Sequence, residues 1–325
     1  MRTYTLRNSG SCSPAPEGHE LRDTLEYTLR NSGSCSPGRQ GMSQGAPCGY
    51  TLGLYEKAMP AELNWKEKLT AAGRAGFDFV EISIDETDEK LRRLDMSRDE
   101  RMELVSLMAE TGVPIRSMCL SGHRKYPFGS RDPEICRRSM EIMEKAILLA
   151  DDLGIRIIQL AGYDVYYEES TDETRLRFGK NLKLAVEMAA CRGILMGFET
   201  METAFMDTVE KAMKYVNQIK SPYLQVYPDC GNLTNAAVLY GTDVLQDLET
   251  GRGHLAAMHL KETVPGKYRE IPFGTGHVNF EAAIGKAWEL GVRRFVTEFW
   301  YKGSADWRKD LEDAESRMRN ILEKM

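Results

Sequence analysis

The chain has 325 residues and a formal net charge of −6 at pH 7, and 42% of its residues are hydrophobic and 28% charged. This composition is typical of a globular protein, and the length suits one large α/β barrel or two smaller domains. The negative charge argues against a nucleic-acid partner. No apolar run reaches the roughly 18 residues that a membrane span requires, so we also expect no membrane partner.

Seven cysteines are scattered along the chain, and no two of them form a CxxC pair. Disulfides are rare in the reducing cytoplasm, where a free cysteine packs as a small apolar side chain. The N-terminus also lacks the apolar stretch of a secretory signal. These features predict free thiols and a cytoplasmic protein.

The N-terminal segment contains a duplication. Residues 4–14 and 27–37 both read YTLRNSGSCSP. Two copies are too few to stack as a structural repeat, and the segment is rich in Ser, Gly, Pro and Arg. We therefore predict that residues 1–41 are a disordered leader outside the fold. Residues 42–325 are predicted to form a single catalytic domain, with Met42 as the expected start.

Eight short apolar runs alternate with helical patterns from residue 50 onward. The predicted strands read YTLGLYE, FDFVEISID, IRSMCLSGH, IRIIQLAGY, ILMGFET, LQVYPDC, HLAAMHL and RRFVTEFW. Helices are predicted at 133–153, 206–219, 243–250, 279–290 and 306–324, among others, and SRDE at Ser97 indicates a capping box. This alternation is typical of buried parallel strands. Because no glycine-rich phosphate loop is present, a (β/α)8 TIM barrel is favoured over a doubly wound sheet.

Each of the last four predicted strands ends in one acid or histidine, namely Glu199, Asp229, His259 and Glu298. They are about 30 to 40 residues apart, which is the length of one βα unit, so they are expected at the C-terminal ends of four successive strands. A charge buried there without a partner would be costly. Three carboxylates and an imidazole suit a divalent metal such as zinc, manganese, magnesium or cobalt. The pattern predicts a metal site at the barrel mouth.

Two further residues are candidates for contact with a substrate. His123 ends the third predicted strand, at the same face of the barrel as the metal site. Lys261 follows the seventh strand, and Lys267 and Arg269 lie in the next loop, where barrels often bind phosphate. His254 begins the seventh strand, at the opposite end of the barrel, and is expected to be structural.

Several longer motifs resemble a known family. They are GLYEKAMP, DFVEISIDETDEKLRRLD, SMCLSGHRKYPFGS, IQLAGYDVYY, VYPDCGNL, HLKETVPG and PFGTGHVNFE. The sequence from Thr51 to the C-terminus resembles the bacterial L-ribulose-5-phosphate 3-epimerases, also called L-xylulose-5-phosphate 3-epimerases, of ascorbate utilisation. Residues 1–41 are the one clear departure from the family pattern.

The resemblance implies a xylose-isomerase-like TIM barrel, a homodimer, and a metal held by Glu199, Asp229, His259 and Glu298. It also implies epimerisation of L-ribulose 5-phosphate to and from L-xylulose 5-phosphate. That reaction removes the C3 proton beside a carbonyl, and a divalent metal would stabilise the resulting enediolate. Our hypothesis is that Glu199 and Glu298 exchange the acid and base roles from opposite sides of the substrate.

Three alternatives remain open at this point. The same barrel could serve an aldose–ketose or hydroxypyruvate isomerase, or it could bind a sugar phosphate without catalysis. An endonuclease IV-like repair enzyme would need more histidines than the five present and a basic surface. Solvent deuterium would label C3 in an epimerase, and C1 or C2 in an aldose–ketose isomerase.

Overall fold

The computed structural model describes residues 49–325. The leader predicted at residues 1–41, including His19, Cys12 and Cys35, lies outside the described residues, as does Cys48. Eight parallel strands are β1 (Thr51–Tyr55), β2 (Phe79–Ile84), β3 (Ile115–Leu120), β4 (Ile157–Ala161), β5 (Leu195–Glu199), β6 (Leu224–Val226), β7 (Met258–Leu260) and β8 (Arg294–Thr297).

Helices follow every strand. They are α1 (Trp65–Arg74), α2 (Asp88–Leu91), α3 (Arg98–Thr111), α4 (Pro133–Leu153), α5 (Asp172–Ala190), α6 (Val209–Ile219), α7 (Cys230–Tyr240), α8 (Val244–Thr250), α9 (Phe280–Glu289) and α10 (Trp307–Leu322). Three short 3-10 helices span Glu56–Ala58, Arg92–Asp95 and Ser121–Arg124. Among residues 49–325, every helix is too short or too polar to cross a lipid bilayer.

The strands form one barrel in sequence order. Hydrogen-bonded pairing runs from β6 through β5, β4, β3, β2 and β1 to β8 and β7. β6 and β7 approach each other through two isolated parallel bridges, Val226 with Leu255 and Asp229 with His259. The second bridge places two of the predicted ligands side by side at the C-terminal mouth.

Side chains alternate between the two faces of each strand, because successive residues of a strand point to opposite sides. On β2, Val80, Ile82 and Ile84 belong to the main core, whereas Phe79 packs inside the barrel. Glu81 follows the same alternation and is fully buried inside the barrel. On β2 the outer face therefore carries the apolar contact with the helices, and the inner face carries Glu81 beside the ring of Phe79.

Two glycines make room for large rings inside the barrel. A methyl group on Gly53 would lie 2.4 Å from the Phe79 ring, and one on Gly197 would lie 2.9 Å from Tyr227 Cβ. Both approaches are closer than van der Waals contact allows. The absence of a side chain at Gly197 thus lets Tyr227 cross the barrel interior towards Glu81.

The helix predictions hold for α4, which spans the predicted range and is capped by Asp132. The capping box at Ser97 is also present, since Ser97 and Glu100 exchange side-chain to backbone hydrogen bonds. Helix α7 was not predicted. It begins directly after Asp229, and its sequence CGNLTNAAVLY lacks the polar face that marks an amphipathic helix.

Candidate metal centre and active site

The four predicted ligands converge at the C-terminal mouth of the barrel. Glu199 is the last residue of β5, His259 is the middle residue of β7, and Glu298 directly follows β8. Asp229 follows β6 and forms the bridge with His259. One ligand atom from each residue lies within 4.8 Å of the others, and all four residues are buried. This arrangement could enclose a single metal ion.

The ring of His259 presents Nδ1 to the three acids. Nδ1 lies 2.8 Å from Glu298 Oε2. It lies 3.8 Å from Glu199 Oε1 and 3.9 Å from Asp229 Oδ2. Nδ1 is therefore the ring nitrogen that would face a cation in this cluster.

The two oxygens of Asp229 have different surroundings. Oδ1 caps helix α7 by accepting a hydrogen bond of 2.7 Å from the backbone N–H of Asn232. Oδ2 is buried and faces the ligand cluster, with Lys261 Nζ 2.9 Å away. The helix cap thus fixes the carboxylate, since a capping acceptor satisfies an otherwise unpaired N–H group. The second oxygen is directed to the position that a cation would take in the cluster.

Two cationic side chains balance the acids of the cluster. Lys261 is only 3% exposed, and its Nζ lies 2.9 Å from Asp229 Oδ2 and 3.6 Å from Glu298 Oε2. Burial opposes the charged form of Lys261, but these two carboxylates outweigh burial and raise its pKa. Burial also opposes the charged form of His259, but Glu81 and Glu298 raise its pKa well above the usual value.

The carboxyl groups of the cluster differ in pKa. Burial and the charge of Glu298 raise the pKa of Glu199 to about 8, and burial raises that of Asp229 to about 6. Burial also acts on Glu298, but the charges of Lys261 and His259 outweigh it and lower the pKa of this group. Three buried carboxylates beside one imidazole are a donor set that a divalent cation would stabilise, so these residues fit such an ion.

Three buried residues that the sequence analysis did not single out surround His259. Glu81 Oε1 lies 2.6 Å from His259 Nε2, and Tyr227 donates a hydrogen bond of 3.1 Å to Glu81 Oε2. Gln159 Nε2 lies 3.1 and 3.2 Å from the two ring nitrogens. The signal in the sequence for Glu81 was a single acid within the apolar run FVEISI of β2, at a position facing the barrel interior.

A cavity of about 150 Å³ lies against the cluster. Its lining comprises Tyr55, Lys57, Cys119, Ser121, Arg124, Glu199, Met201, Glu202, Asn232, Lys261, Tyr268, Arg269, Glu298 and Trp300. A larger cleft of about 1160 Å³ lies between the loop before α9 and helix α10, and it shares only Trp300 with this cavity. Because the larger cleft contains none of the four ligands, we assign the active site to the smaller cavity.

Positive charge is concentrated on the rim of the cavity. Arg269 Nη2 donates a hydrogen bond of 2.9 Å to Glu202, which also accepts one of 2.5 Å from Tyr163. The guanidinium of Arg124 lies 5.7 Å from the ring centroid of Tyr163 and 5.1 Å from that of Tyr166. Both arginines are thus held in place by neighbours at the cavity wall.

Comparisons with known proteins agree with this geometry. Residues 69–321 match the family model for the xylose isomerase-like TIM barrel. The chain is 50% identical over 250 residues to L-ribulose-5-phosphate 3-epimerase UlaE of Salmonella heidelberg (strain SL476), which covers 77% of this chain and 87% of that protein. It is 46% identical over 256 residues to UlaE of Escherichia coli O139:H28 (strain E24377A / ETEC). That match covers 78% of this chain and 89% of the Escherichia coli protein.

This chain belongs to the L-ribulose-5-phosphate 3-epimerase family. The predicted family and TIM-barrel fold are confirmed, and the chain is an enzyme of the isomerase class. A solved structure of D-psicose 3-epimerase from Clostridium cellulolyticum H10 shares the fold, with a TM-score of 0.69 and 15% sequence identity. The match covers 84% of this chain and 99% of that one.

The structure places His123 differently from the prediction of a substrate contact. Its side chain is 3% exposed, its ring lies 4.4 Å from that of Phe128, and Nε2 lies 3.1 Å from the carbonyl oxygen of Ser139. Burial lowers the pKa of His123 to about 4. His123 turns away because the 3-10 helix after β3 directs the next residue, Arg124, into the cavity instead.

Two more histidines, His254 and His277, also lie outside the ligand cluster. His254 Nδ1 lies 3.1 Å from Gln225 Oε1. His277 Nε2 lies 3.0 Å from Thr263 Oγ1 in the loop that follows β7. Cys119, Cys136, Cys191 and Cys230, the cysteines within the described part of the chain, are free thiols.

Proposed function

We propose that this chain interconverts L-ribulose 5-phosphate and L-xylulose 5-phosphate by proton transfer at C3. The observation that carries the proposal is the buried cluster of Glu199, Asp229, His259 and Glu298 beside a cavity with a cationic rim. The names of the family relatives support this substrate pair. We also propose that the protein is a cytoplasmic homodimer and that it takes zinc, manganese, magnesium or cobalt at the cluster.

The acid and base roles are assigned to Glu199 and Glu298. They project from β5 and β8, which are separated by β6 and β7 around the mouth, so they can flank a substrate lying over it. Their environments push the pKa of Glu199 up and that of Glu298 down, an arrangement that favours one proton donor and one acceptor. Asp229 and His259 are assigned to holding the metal.

In one direction, Glu298 removes the proton from C3, and the electron pair of the broken C–H bond enters the enediolate. Glu199 then donates a proton to the opposite face of C3, which forms the new C–H bond and inverts the centre. In the reverse direction the two residues exchange roles. A divalent ion, when bound, supplies Lewis-acid stabilisation of the negative charge on the substrate oxygens.

The cationic rim supports a phosphorylated substrate. Lys57, Arg124 and Arg269 line the cavity, and guanidinium groups bind phosphate through paired hydrogen bonds. Each of these groups has an acidic neighbour: Lys57 pairs with Asp85, Arg124 with Glu86 and Arg269 with Glu202. A phosphate dianion would compete with those carboxylates for the same donors.

The proposed function is tested by proton NMR of L-ribulose 5-phosphate with the protein in D₂O, before and after treatment with EDTA. Loss of the C3 proton signal together with growth of L-xylulose 5-phosphate, both abolished by EDTA and restored by Mn²⁺, is the expected result. Exchange at C1 or C2 would instead identify an aldose–ketose isomerase. Absence of exchange in the presence of added Mn²⁺ or Zn²⁺ would contradict the proposal.

Arg124 and His123 provide a matched pair of substitutions on adjacent residues. Arg124→Met is expected to lower kcat/KM by about 10- to 100-fold, chiefly through KM, because a charge-assisted hydrogen bond to substrate contributes about 1.5–3 kcal/mol. His123→Phe is expected to leave kcat and KM within about twofold. Replacing the imidazole by a phenyl ring changes the packing against Phe128 and removes no contact with the substrate. Steady-state kinetics of both variants would show which of the two residues contacts the substrate. Equal losses of kcat/KM in the two variants would support His123 as a substrate contact.

A further inference from the structure

Glu81 is the residue closest to His259 on the side away from the acids. Its side chain is fully buried on the inner face of β2, and its Oε1 lies 2.6 Å from His259 Nε2. The other ring nitrogen, Nδ1, faces Glu298 at 2.8 Å. The two nitrogens of the imidazole thus face different carboxylates, one inside the ligand cluster and one behind it.

Glu81 is itself held in place. Tyr227 donates a hydrogen bond of 3.1 Å to Glu81 Oε2, and the Tyr227 and His259 rings meet edge to face with centroids 5.0 Å apart. Gln159 Nε2 is nearly equidistant from the two ring nitrogens, so it does not single out one of them. Glu298, which faces Nδ1, is one of the four ligands and would turn its oxygen to a bound cation. Glu81 lies outside the ligand set and would remain to accept a hydrogen bond from the ring, which requires a protonated Nε2 because a carboxylate only accepts.

We propose that Glu81 is a positioning residue that keeps His259 protonated at Nε2 and directs the Nδ1 lone pair to the metal. The inference rests on the proposed metal site. A carboxylate behind a histidine ligand fixes its tautomer and ring orientation and makes the ligand more basic. The enzyme thereby couples a residue of β2 to a ligand set built entirely from β5 to β8.

The test measures binding of Mn²⁺ to the metal-free protein by isothermal titration calorimetry, without substrate. Glu81→Gln is expected to weaken Mn²⁺ binding by about 10- to 100-fold, since loss of such a partner typically has that effect. Tyr227→Phe, which leaves the carboxylate but removes its donor, is expected to give a smaller loss in the same direction. Tyr227→Phe also keeps the inference testable if Glu81→Gln does not fold.

Glu56→Gln is the matched control, because Glu56 is an equally buried acid that pairs with Lys68, Lys90 and Arg93 and not with His259. It is expected to lower the melting temperature while leaving Mn²⁺ affinity within about threefold of the unmodified chain. Unchanged affinity in Glu81→Gln, or an equal loss in Glu56→Gln, would overturn the inference. Failure of the unmodified chain to bind Mn²⁺ would instead overturn the proposed metal site.

The tautomer of His259, observed by NMR, distinguishes a positioning role of Glu81 from a purely structural one. In the Zn²⁺-loaded protein, long-range proton–nitrogen correlation spectra are expected to show one histidine that changes on loading, with Nε2 protonated and Nδ1 bound. In Tyr227→Phe this pattern should persist, whereas in Glu81→Gln it should broaden or mix with the other tautomer. Metal binding through Nε2 in the unmodified protein would overturn the assignment.

Discussion

Glu298→Gln is expected to lower kcat by about 10²- to 10⁴-fold, the usual contribution of a positioned proton-transfer group. Glutamine has nearly the shape of glutamate and retains an oxygen, but it cannot accept the C3 proton. The buried neighbours Lys261 and His259 would keep the side chain in place. The fold should therefore persist while turnover is lost.

Incorporation of solvent deuterium at C3 tests the separate roles of Glu199 and Glu298. With two acids acting on opposite faces, loss of one leaves the other able to exchange the C3 proton of a single epimer. Glu298→Gln should therefore exchange one ketopentose phosphate without interconverting the pair, and Glu199→Gln should exchange the other. Bound Mn²⁺ must be measured in each variant, because both residues are also assigned to the metal. Near-normal turnover in metal-loaded Glu298→Gln would refute the two-acid scheme.

Glu56→Gln is expected to destabilise the fold by about 3–5 kcal/mol, the usual cost of breaking a buried ion pair. The Glu56 carboxylate is 1% exposed and accepts a hydrogen bond of 2.9 Å from the Ser83 backbone. It lies 2.6 Å from Lys90 Nζ and 3.5 Å from Lys68 Nζ, and it pairs with Arg93. Removing its charge leaves three cations together without their shared partner.

The exposed pair of Lys309 and Asp313 provides a control for Glu56. Both side chains are about two-thirds exposed, at 68% and 66%, and exposed pairs contribute little to stability. Asp313→Asn should therefore leave the urea midpoint unchanged, whereas Glu56→Gln should lower it with a similar slope. Equal midpoints for Glu56→Gln and the unmodified chain would contradict the assigned role.

The lowered pKa of Glu56 predicts that the free energy of unfolding falls in acid. Burial would raise the pKa of Glu56, but Arg93, Lys90 and Lys68 outweigh it and lower the value from 4.5 to about 2. Because the folded pKa lies below the unfolded one, the contribution is complete above pH 4.5 and is lost as the pH falls towards about 2. It amounts to about 3 kcal/mol. Urea unfolding between pH 6 and pH 2.5 should show a steeper fall in the unmodified chain than in Glu56→Gln.

The sequence by itself determined the barrel and the four residues at its mouth. Parallel strands buried on both faces leave continuous apolar runs, and helices between them set a regular spacing, so β1 to β8 were visible without coordinates. Glu199, Asp229, His259 and Glu298 were predictable because a charge at the end of such a run lies at one defined face of the barrel. Their metal-binding and catalytic roles stay predictions.

Only the tertiary structure decided which residues stand around those four. Glu81 lies far from His259 in sequence, and its role follows from the closure of β2 and β7 around one interior. Lys261, the residue directly after β7, joins the acids through its Nζ, which lies 2.9 Å from Asp229 Oδ2. The direction of a side chain after β3 depends on a 3-10 helix, which turned His123 into the core and Arg124 into the cavity. The contact between Glu81 and His259 joins segments that are 178 residues apart, and no local pattern in the sequence encodes it.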